Sequence, residues 1–142
     1  MTDSLLTGHW SAWGSRLLSL TRIVAAFMLI QNGMMKLFAF PIGMPPDDSV
    51  AVFPSQVWFG GVLETFGGGL LLIGLCTRPV AFILSGMMAV AYFQFHAPRS
   101  FWTVVNGGAP AVLYCFLFLY LAAVGAGPWS VDALIRKRSV NP

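Results

Sequence analysis

Charged residues are scarce in this sequence, since Asp, Glu, Lys and Arg make up 9% of its 142 residues. A soluble domain carries roughly 25%. Apolar residues make up 57%, and a water-soluble fold of about 150 residues buries only about 70% of its unfolded surface. The composition therefore excludes an ordinary soluble domain and indicates a protein whose solvent is the lipid bilayer.

Four stretches with almost no charge meet the requirement of about 20 mostly apolar residues for a transmembrane helix. They cover residues 17–38, 57–76, 79–97 and 109–127. The N-terminal segment has no basic region ahead of a short apolar stretch and no cleavage pattern, so it does not resemble a signal peptide. We predict an all-α integral membrane four-helix bundle that forms one domain over residues 1–142.

Basic residues fall mainly on one side of this arrangement. They are Arg16 before the first span, Arg78 between the second and third spans, and Arg136, Lys137 and Arg138 after the fourth. Positive residues favour the cytoplasmic side, so we predict that both termini are cytoplasmic. Trp10 and Trp13 suit the aromatic belt at the membrane interface.

The loop between the first and second spans is rich in proline, which forbids a continuous helix. Two interpretations remain open for it. Asp47, Asp48 or Ser49 caps a short interfacial helix, or the segment is a plain surface loop.

Motifs for metals, haem, disulfides and nucleic acids are absent. The sequence has no CxxC, no HExxH and no phosphate loop, and no basic stripe with interleaved aromatics of the kind that binds nucleic acid. His9 and His96 fall on opposite sides of the predicted membrane, which excludes a bis-histidine haem. Cys76 and Cys115 differ in depth by roughly 20 Å, too far for a disulfide. We therefore predict no metal site and no nucleic-acid partner.

Glu64 stands within an apolar, glycine-rich run, ETFGGGLLLIG. At 100° per residue, four glycines lie within about 60° of it on a helix: Gly60, Gly61, Gly67 and Gly68. Small residues let helices approach closely in lipid, whereas a lipid-facing carboxylate costs several kcal/mol. Glu64 thus occupies a packing groove, where it either bonds a neighbouring helix and holds the bundle together or belongs to a polar site.

Depth along the spans predicts which polar residues lie near Glu64. The candidate cluster in the outer half of the membrane contains Asn32, Lys36, Glu64, Tyr92, His96 and Asn106. Intramembrane ionisable groups usually gather inside the bundle. Each member also has a plainer interpretation, because Tyr92 and His96 suit an aromatic belt, Asn106 can cap the fourth span, and Lys36 can extend to lipid phosphate.

Arg22 lies in the inner half of the first span and is always charged. It must therefore bond polar groups, reach the inner headgroups or line a wet cavity. We keep Arg22 as a candidate ligand-binding residue in addition to the members of the outer cluster.

Several segments together resemble the DoxX family of small membrane proteins. They are Arg22, NGMMK at 32–36, ETFGGGLLLIGLCTRP at 64–79 and GAGPWSVD at 125–132. The resemblance covers nearly all of residues 17–135 and implies a four-helix bundle in a bacterial or archaeal cytoplasmic membrane. The family pattern matches Arg22, Gly33, Lys36, Glu64, Gly67, Gly68, Arg78, Ser130 and Asp132. Ala109 departs from it, because relatives often have an acidic residue there, and this departure argues against a scheme with two carboxylates.

The family takes its name from a subunit of an archaeal thiosulfate:quinone oxidoreductase, so the resemblance implies a membrane component of a redox system. The favoured hypothesis is a membrane subunit or partner of a quinone-linked oxidoreductase, without catalysis of its own. In it, Glu64 with Lys36, Tyr92 or His96 bonds a quinone oxygen or passes its proton.

Two other functions remain as alternatives. In the first, the protein is a non-enzymatic anchor whose glycines around Glu64 pack against another subunit, or against a second copy of the chain. In the second, it is a transporter or channel. The latter is less favoured, because four spans are few for alternating access and the sequence shows no pair of broken helices.

Overall fold

The computed structural model describes the backbone of residues 2–140 and the side chains of residues 13–139. The first helix, α1, is Thr2–Phe38. Its apolar part, Trp13–Phe38, has 26 residues. At about 1.5 Å per residue this part is longer than the roughly 30 Å hydrocarbon core of a bilayer.

The second long helix, Gln56–Ile73, is interrupted by a π-helical turn. It consists of α2 (Gln56–Val62), the first π turn (Leu63–Gly67) and α3 (Gly68–Ile73). The Ser55 side chain caps its start by accepting a hydrogen bond from the Trp58 backbone N–H at 3.1 Å. A π turn inserts one residue into a helix and shifts the direction of the side chains that follow it.

The third long helix also contains a π turn, which forms its last turn. It consists of α4 (Thr77–Ala91) and the second π turn (Tyr92–His96). A short helix, α5 (Thr103–Asn106), then leads into α6 (Ala109–Val124). The last described helix is α7 (Val131–Val140).

Three helices of the described chain are long and apolar enough to cross a membrane, and α6 is a shorter apolar helix. The described residues form no β-sheet, and their only strand-like pairing is an isolated bridge between Met44 and Ser49. The all-helical class predicted from the sequence is confirmed, with three to four apolar helices compatible with a membrane bundle.

The loop between α1 and α2 contains no helix, so the plainer of its two interpretations holds. The backbone N–H of Ala51 donates to the Lys36 carbonyl at 2.7 Å. This bond ties the loop back onto the end of α1.

The bundle is assembled from two tightly packed pairs. α1 packs along α2, the first π turn and α3, while α4 packs against α6 and also touches α3. The apolar side chains with at most 1% exposure are Ala26, Leu29, Leu71, Ala81, Leu84, Phe118 and Leu121. Many large apolar side chains instead point outward, among them Phe66, Phe82, Phe93, Leu113 and Phe116, each at least 65% exposed. Such a surface suits lipid and not water.

Candidate functional site

An ion pair joins the end of α1 to the first π turn. The Lys36 Nζ lies 2.6 Å from Glu64 Oε1 and 2.7 Å from Glu64 Oε2. The Glu64 residue is 5% exposed, whereas the Lys36 side chain is 23% exposed. A buried carboxylate in an apolar solvent is tolerable only with such a partner.

Close backbone contact between the helices brings this pair together. Gly33 lies one turn before Lys36, and a Cβ added to it would lie 2.7 Å from the Thr65 backbone nitrogen and 2.8 Å from the Gly61 carbonyl oxygen. Any larger residue at position 33 would push the π turn away from α1. Gly61 in turn packs against the Lys36 and Leu37 side chains, each 3.1 Å from the position of an added Cβ.

The ion pair forms part of the wall of a cavity of about 530 Å³. Four polar residues contribute to the lining, namely Lys36, Gln56, Glu64 and His96. The remainder is mostly apolar and includes Phe59, Leu63, Ile83, Met87, Val90 and Phe95. Both π turns supply lining residues, which agrees with the frequent occurrence of π turns at functional sites. An apolar cavity with a few converging polar groups is the usual form of a small-molecule site.

His96 is held in one orientation by the loop that follows it. Its Nδ1 lies 2.9 Å from the Asn106 carbonyl oxygen. A carbonyl only accepts, so Nδ1 carries the proton, and Nε2 is the acceptor of the neutral ring. The Asn106 side chain organises the same loop by accepting from the Gly108 N–H at 2.7 Å and donating to the Ser100 carbonyl at 2.8 Å. Asn106 therefore positions His96 and does not line the cavity.

Tyr92 does not line the cavity of the ion pair. It contributes to a second cavity, of about 450 Å³, together with Trp102 and Cys115. Its ring stacks on His96 with centroids 6.4 Å apart and planes 19° apart. Tyr92 thus stacks on a residue of the candidate site without lining its cavity.

Asn32 is not brought to Glu64. Its side chain is exposed and donates to the Met28 carbonyl of its own helix at 3.2 Å. Gln56 instead is a lining residue that the sequence reasoning missed. It stands at the start of α2 and donates to the Gln94 side chain. No periodic pattern marks a residue at a helix start, so the sequence held no signal for Gln56.

Arg22 lies at the far end of the bundle from the ion pair and is completely buried. Its guanidinium donates to four backbone carbonyls, those of Leu71, Leu72, Ala126 and Trp129. The bonds to Leu72 and Ala126 measure 2.8 and 2.9 Å. The first two carbonyls belong to the last turn of α3, where a cation is favourable. The sequence left three possibilities for Arg22: bonds to polar groups, contact with the inner headgroups, or a wet cavity. The structure shows the first of these.

Asp132 caps the next helix beside Arg22. Its carboxylate accepts from the Cys76 N–H at 2.8 Å and from the Thr77 N–H at 2.9 Å, at the start of α4. Burial raises the pKa of Asp132, but the bonds from Thr77 and Cys76 and the charge of Arg136 lower it by more. The pKa of Asp132 therefore lies below its ordinary value. Arg22 and Asp132 together fix the tight α3–α4 turn from both sides.

The glycines around Glu64 are largely used within the chain. An added Cβ would lie 2.7 Å from Ile30 at Gly68 and 3.1 Å from Leu84 at Gly67, while Gly61 packs on α1. A Cβ added at Gly60 would meet nothing within 4 Å. The glycine face thus serves mainly the packing of α1 and α4 onto the second long helix, which leaves little of it for another subunit.

The described part of the chain contains no group of three His, Cys, Asp or Glu side chains that could hold a metal ion. Cys76 is exposed and Cys115 half-buried, and both are free thiols. The side chains of His9 and Trp10 lie outside the described residues.

Known sequences show what the chain is similar to. The DoxX family model matches residues 17–97. An uncharacterized protein of Haemophilus influenzae is 43% identical over 118 residues, covering 81% of this chain and 87% of that protein. The uncharacterized membrane protein Rv3486 of Mycobacterium tuberculosis is 24% identical over 132 residues, covering 83% of this chain and 80% of that protein. No solved structure matches the chain significantly.

The family match covers more than half of the chain and includes the ion pair of Lys36 and Glu64. The apolar helices of the chain and its outward-facing apolar side chains are those of a multi-pass integral membrane protein in contact with lipid. The chain belongs to the DoxX family.

Proposed function

We propose that the protein is a membrane subunit or partner of a quinone-linked oxidoreductase and that the cavity beside Lys36 and Glu64 binds the quinone. The observation that carries this proposal is a polar ion pair in the wall of an otherwise apolar cavity of about 530 Å³. That volume lies within the roughly 300–1,000 Å³ typical of small-molecule sites.

The polar groups retain the hydrogen-bonding capacity that a quinone head requires. An ammonium has three donors, and two of them serve the Glu64 oxygens, so one N–H of Lys36 remains for a carbonyl oxygen. Each carboxylate oxygen keeps a further lone pair that can accept from a quinol hydroxyl. The apolar lining suits the ring and its lipid tail.

His96 and Glu64 are the groups proposed to exchange protons with the ligand. With Nδ1–H committed to the Asn106 carbonyl, His96 Nε2 is left to accept a hydrogen bond from a quinol. Proton transfer by positioned side chains of this kind is ordinary general acid–base chemistry. In this proposal a partner protein supplies or removes the electrons, and the chain itself is not proposed to catalyse the reaction.

The proposed location is a bacterial or archaeal cytoplasmic (inner) membrane, with both termini in the cytoplasm. The support is the charge distribution along the chain. Arg16, Arg78 and the basic residues of α7 share one end, and Lys36 and Arg99 lie at the other. Cytoplasmic ends carry the excess of positive charge.

Quinone binding to the purified protein tests the proposal. A short-chain ubiquinone or menaquinone analogue would be titrated into the protein in nanodiscs and followed by calorimetry. Wild type is expected to bind with a one-to-one stoichiometry. Glu64→Gln and His96→Phe are each expected to weaken binding by about 1–3 kcal/mol, the cost of losing a buried hydrogen-bond partner.

The matched control is Tyr120→Phe, which removes a hydroxyl from an exposed side chain of α6 outside the cavity. Its affinity should equal that of wild type. Absence of saturable quinone binding by wild type would refute the proposal, as would equal affinities for wild type and the Glu64→Gln, His96→Phe double variant.

A further inference from the structure

Cationic side chains gather at the end of the bundle where α3 ends and α4 begins. They are Arg16, Arg78, Arg136, Lys137 and Arg138, and all five are exposed. Asp132 is the only acidic side chain described at this end, and its carboxylate already caps α4. Within the described chain none of the five cations forms an ion pair, because the only such pair joins Lys36 to Glu64. The end is therefore strongly positive and open.

Hydrogen bonds fix α7 at the level of the membrane boundary. The Asp132 N–H donates to the Gly74 carbonyl at 2.9 Å, in the turn between two membrane-crossing helices. The Ser130 hydroxyl caps α7 by accepting from the Ala133 N–H at 3.2 Å. The Trp129 N–H donates to the Ser19 side chain of α1 at 3.2 Å. The first turn of α7 cannot move away from the span ends without breaking these bonds.

The exposed surface of α7 combines apolar and basic side chains. Leu134 is 60% exposed and Ile135 is 52% exposed. At 100° per residue Arg138 falls between these two directions on the helix, and Arg136 and Lys137 flank them on either side. Long basic side chains can lay their stems along an apolar surface while the charge reaches a headgroup.

Two exposed tryptophans lie near the same cations. Trp129, two residues before α7, is 54% exposed, and Trp13, three residues before Arg16 in α1, is 56% exposed. The Arg16 guanidinium carbon lies 5.6 Å from the centre of the Trp13 ring. Exposed tryptophan beside basic residues is typical of the headgroup layer of a membrane.

We propose that α7 lies in the membrane interface and that this basic end binds the phosphodiester headgroups of anionic phospholipids. Leu134, Ile135 and Trp129 enter the acyl boundary, and the cations lie at phosphate level. An acidic soluble protein fits the surface less well, because Leu134 and Ile135 are exposed beside the cations of α7. A headgroup layer offers both phosphate for the cations and an acyl boundary for these apolar side chains. The proposal does not depend on the quinone site.

Lipid selectivity of the purified protein tests this inference. The protein in detergent would be mixed with equal amounts of phosphatidylglycerol and phosphatidylcholine that carry the same acyl chains, and bound lipids would be counted by native mass spectrometry. Each basic residue near an anionic surface contributes about 1 kcal/mol, so wild type is expected to retain phosphatidylglycerol at least about fivefold better. The preference should decline as salt is added.

The decisive variant is R136Q/K137Q/R138Q, which neutralises three exposed side chains and leaves the Asp132 anchor intact. This variant should lose most of the preference for phosphatidylglycerol. The control R99Q, which neutralises an exposed cation at the opposite end of the bundle, should keep that preference. Equal retention of both lipids by wild type would overturn the proposal and assign these cations to membrane topology or to an acidic protein. An unchanged preference in the triple variant would overturn it too. The wild-type ratio and its salt dependence decide the matter even if the triple variant does not fold.

Discussion

The Lys36 ammonium holds both carboxylate oxygens of Glu64, at 2.6 and 2.7 Å, across the contact between α1 and the first π turn. The two residues are 28 positions apart in the sequence. Their bond has a structural and a chemical consequence. It fastens the first helix to the second in an apolar solvent, and it leaves a polar patch on the wall of a cavity wide enough for a small molecule.

A double-mutant cycle on this pair should reveal strong coupling. Lys36→Met and Glu64→Gln are each expected to lower the free energy of unfolding by about 1–3 kcal/mol, since each leaves a polar partner unsatisfied. The double variant should be less destabilised than the sum of the two, because no unpaired charge remains. Unfolding in mixed micelles by titrated SDS gives the three values. Strict additivity would show that the pair does not stabilise the fold.

Replacement of Gly33 should separate the two halves of the ion pair. In Gly33→Ala the new Cβ meets the Thr65 nitrogen and the Gly61 carbonyl, and neither backbone atom can move independently of its helix. We expect a loss of about 1–3 kcal/mol in the free energy of unfolding from this overpacking, together with weaker quinone binding.

Gly14→Ala is the matched control for Gly33→Ala, because Gly14 lies in the same helix and an added Cβ there meets nothing within 4 Å. Alanine also has the better helix propensity, so this control should be neutral or slightly stabilising. Equal stability of the two variants would contradict the close packing of α1 on the π turn.

Arg22→Lys should destabilise the protein although it preserves the charge. The guanidinium donates to carbonyls of two separate segments, the end of α3 and the loop after α6. A lysine has one compact ammonium and cannot reproduce this fork. We expect the free energy of unfolding to fall by more than about 3 kcal/mol, since several buried carbonyls lose their donors. Thermal melting in detergent measures it, and a melting temperature equal to that of wild type would refute the assigned role.

Depth and composition were enough to predict the helical membrane fold and the proximity of Lys36 to Glu64. Both follow from the rise of a helix and the cost of charge in lipid, and neither requires knowledge of side-chain directions. The same reasoning could not identify the partners of Arg22, because all four are main-chain carbonyls that no residue type marks.

The π turns explain why other members of the predicted cluster are dispersed. Tyr92 and His96 are four residues apart, a spacing that places two side chains on one face of an ideal α-helix. They span the second π turn, however, and line different cavities. A local change of helical pitch leaves no periodic signature in a single sequence. Asn32 shares the face of Lys36 in an ideal helix, yet only the long lysine stem reaches Glu64, and the shorter amide bonds its own helix.

Asp132 should make stability depend on pH below about pH 4. Its folded pKa lies below the ordinary value, which is about 3.9 for an unfolded chain. Its contribution is therefore complete above the unfolded pKa and is lost as the pH falls through the folded pKa. Asp132→Asn removes the ionised cap of α4, so it should cost about 1 kcal/mol at pH 7 and progressively less as the pH falls below about 4. Melting curves of both proteins between pH 7 and 3 measure the difference.

The control is Asp47→Asn, which changes an exposed loop residue at the opposite end of the bundle and should stay as stable as wild type throughout this pH range. A difference between wild type and Asp132→Asn that stayed constant down to pH 3 would show that the carboxylate charge does not stabilise the α3–α4 turn.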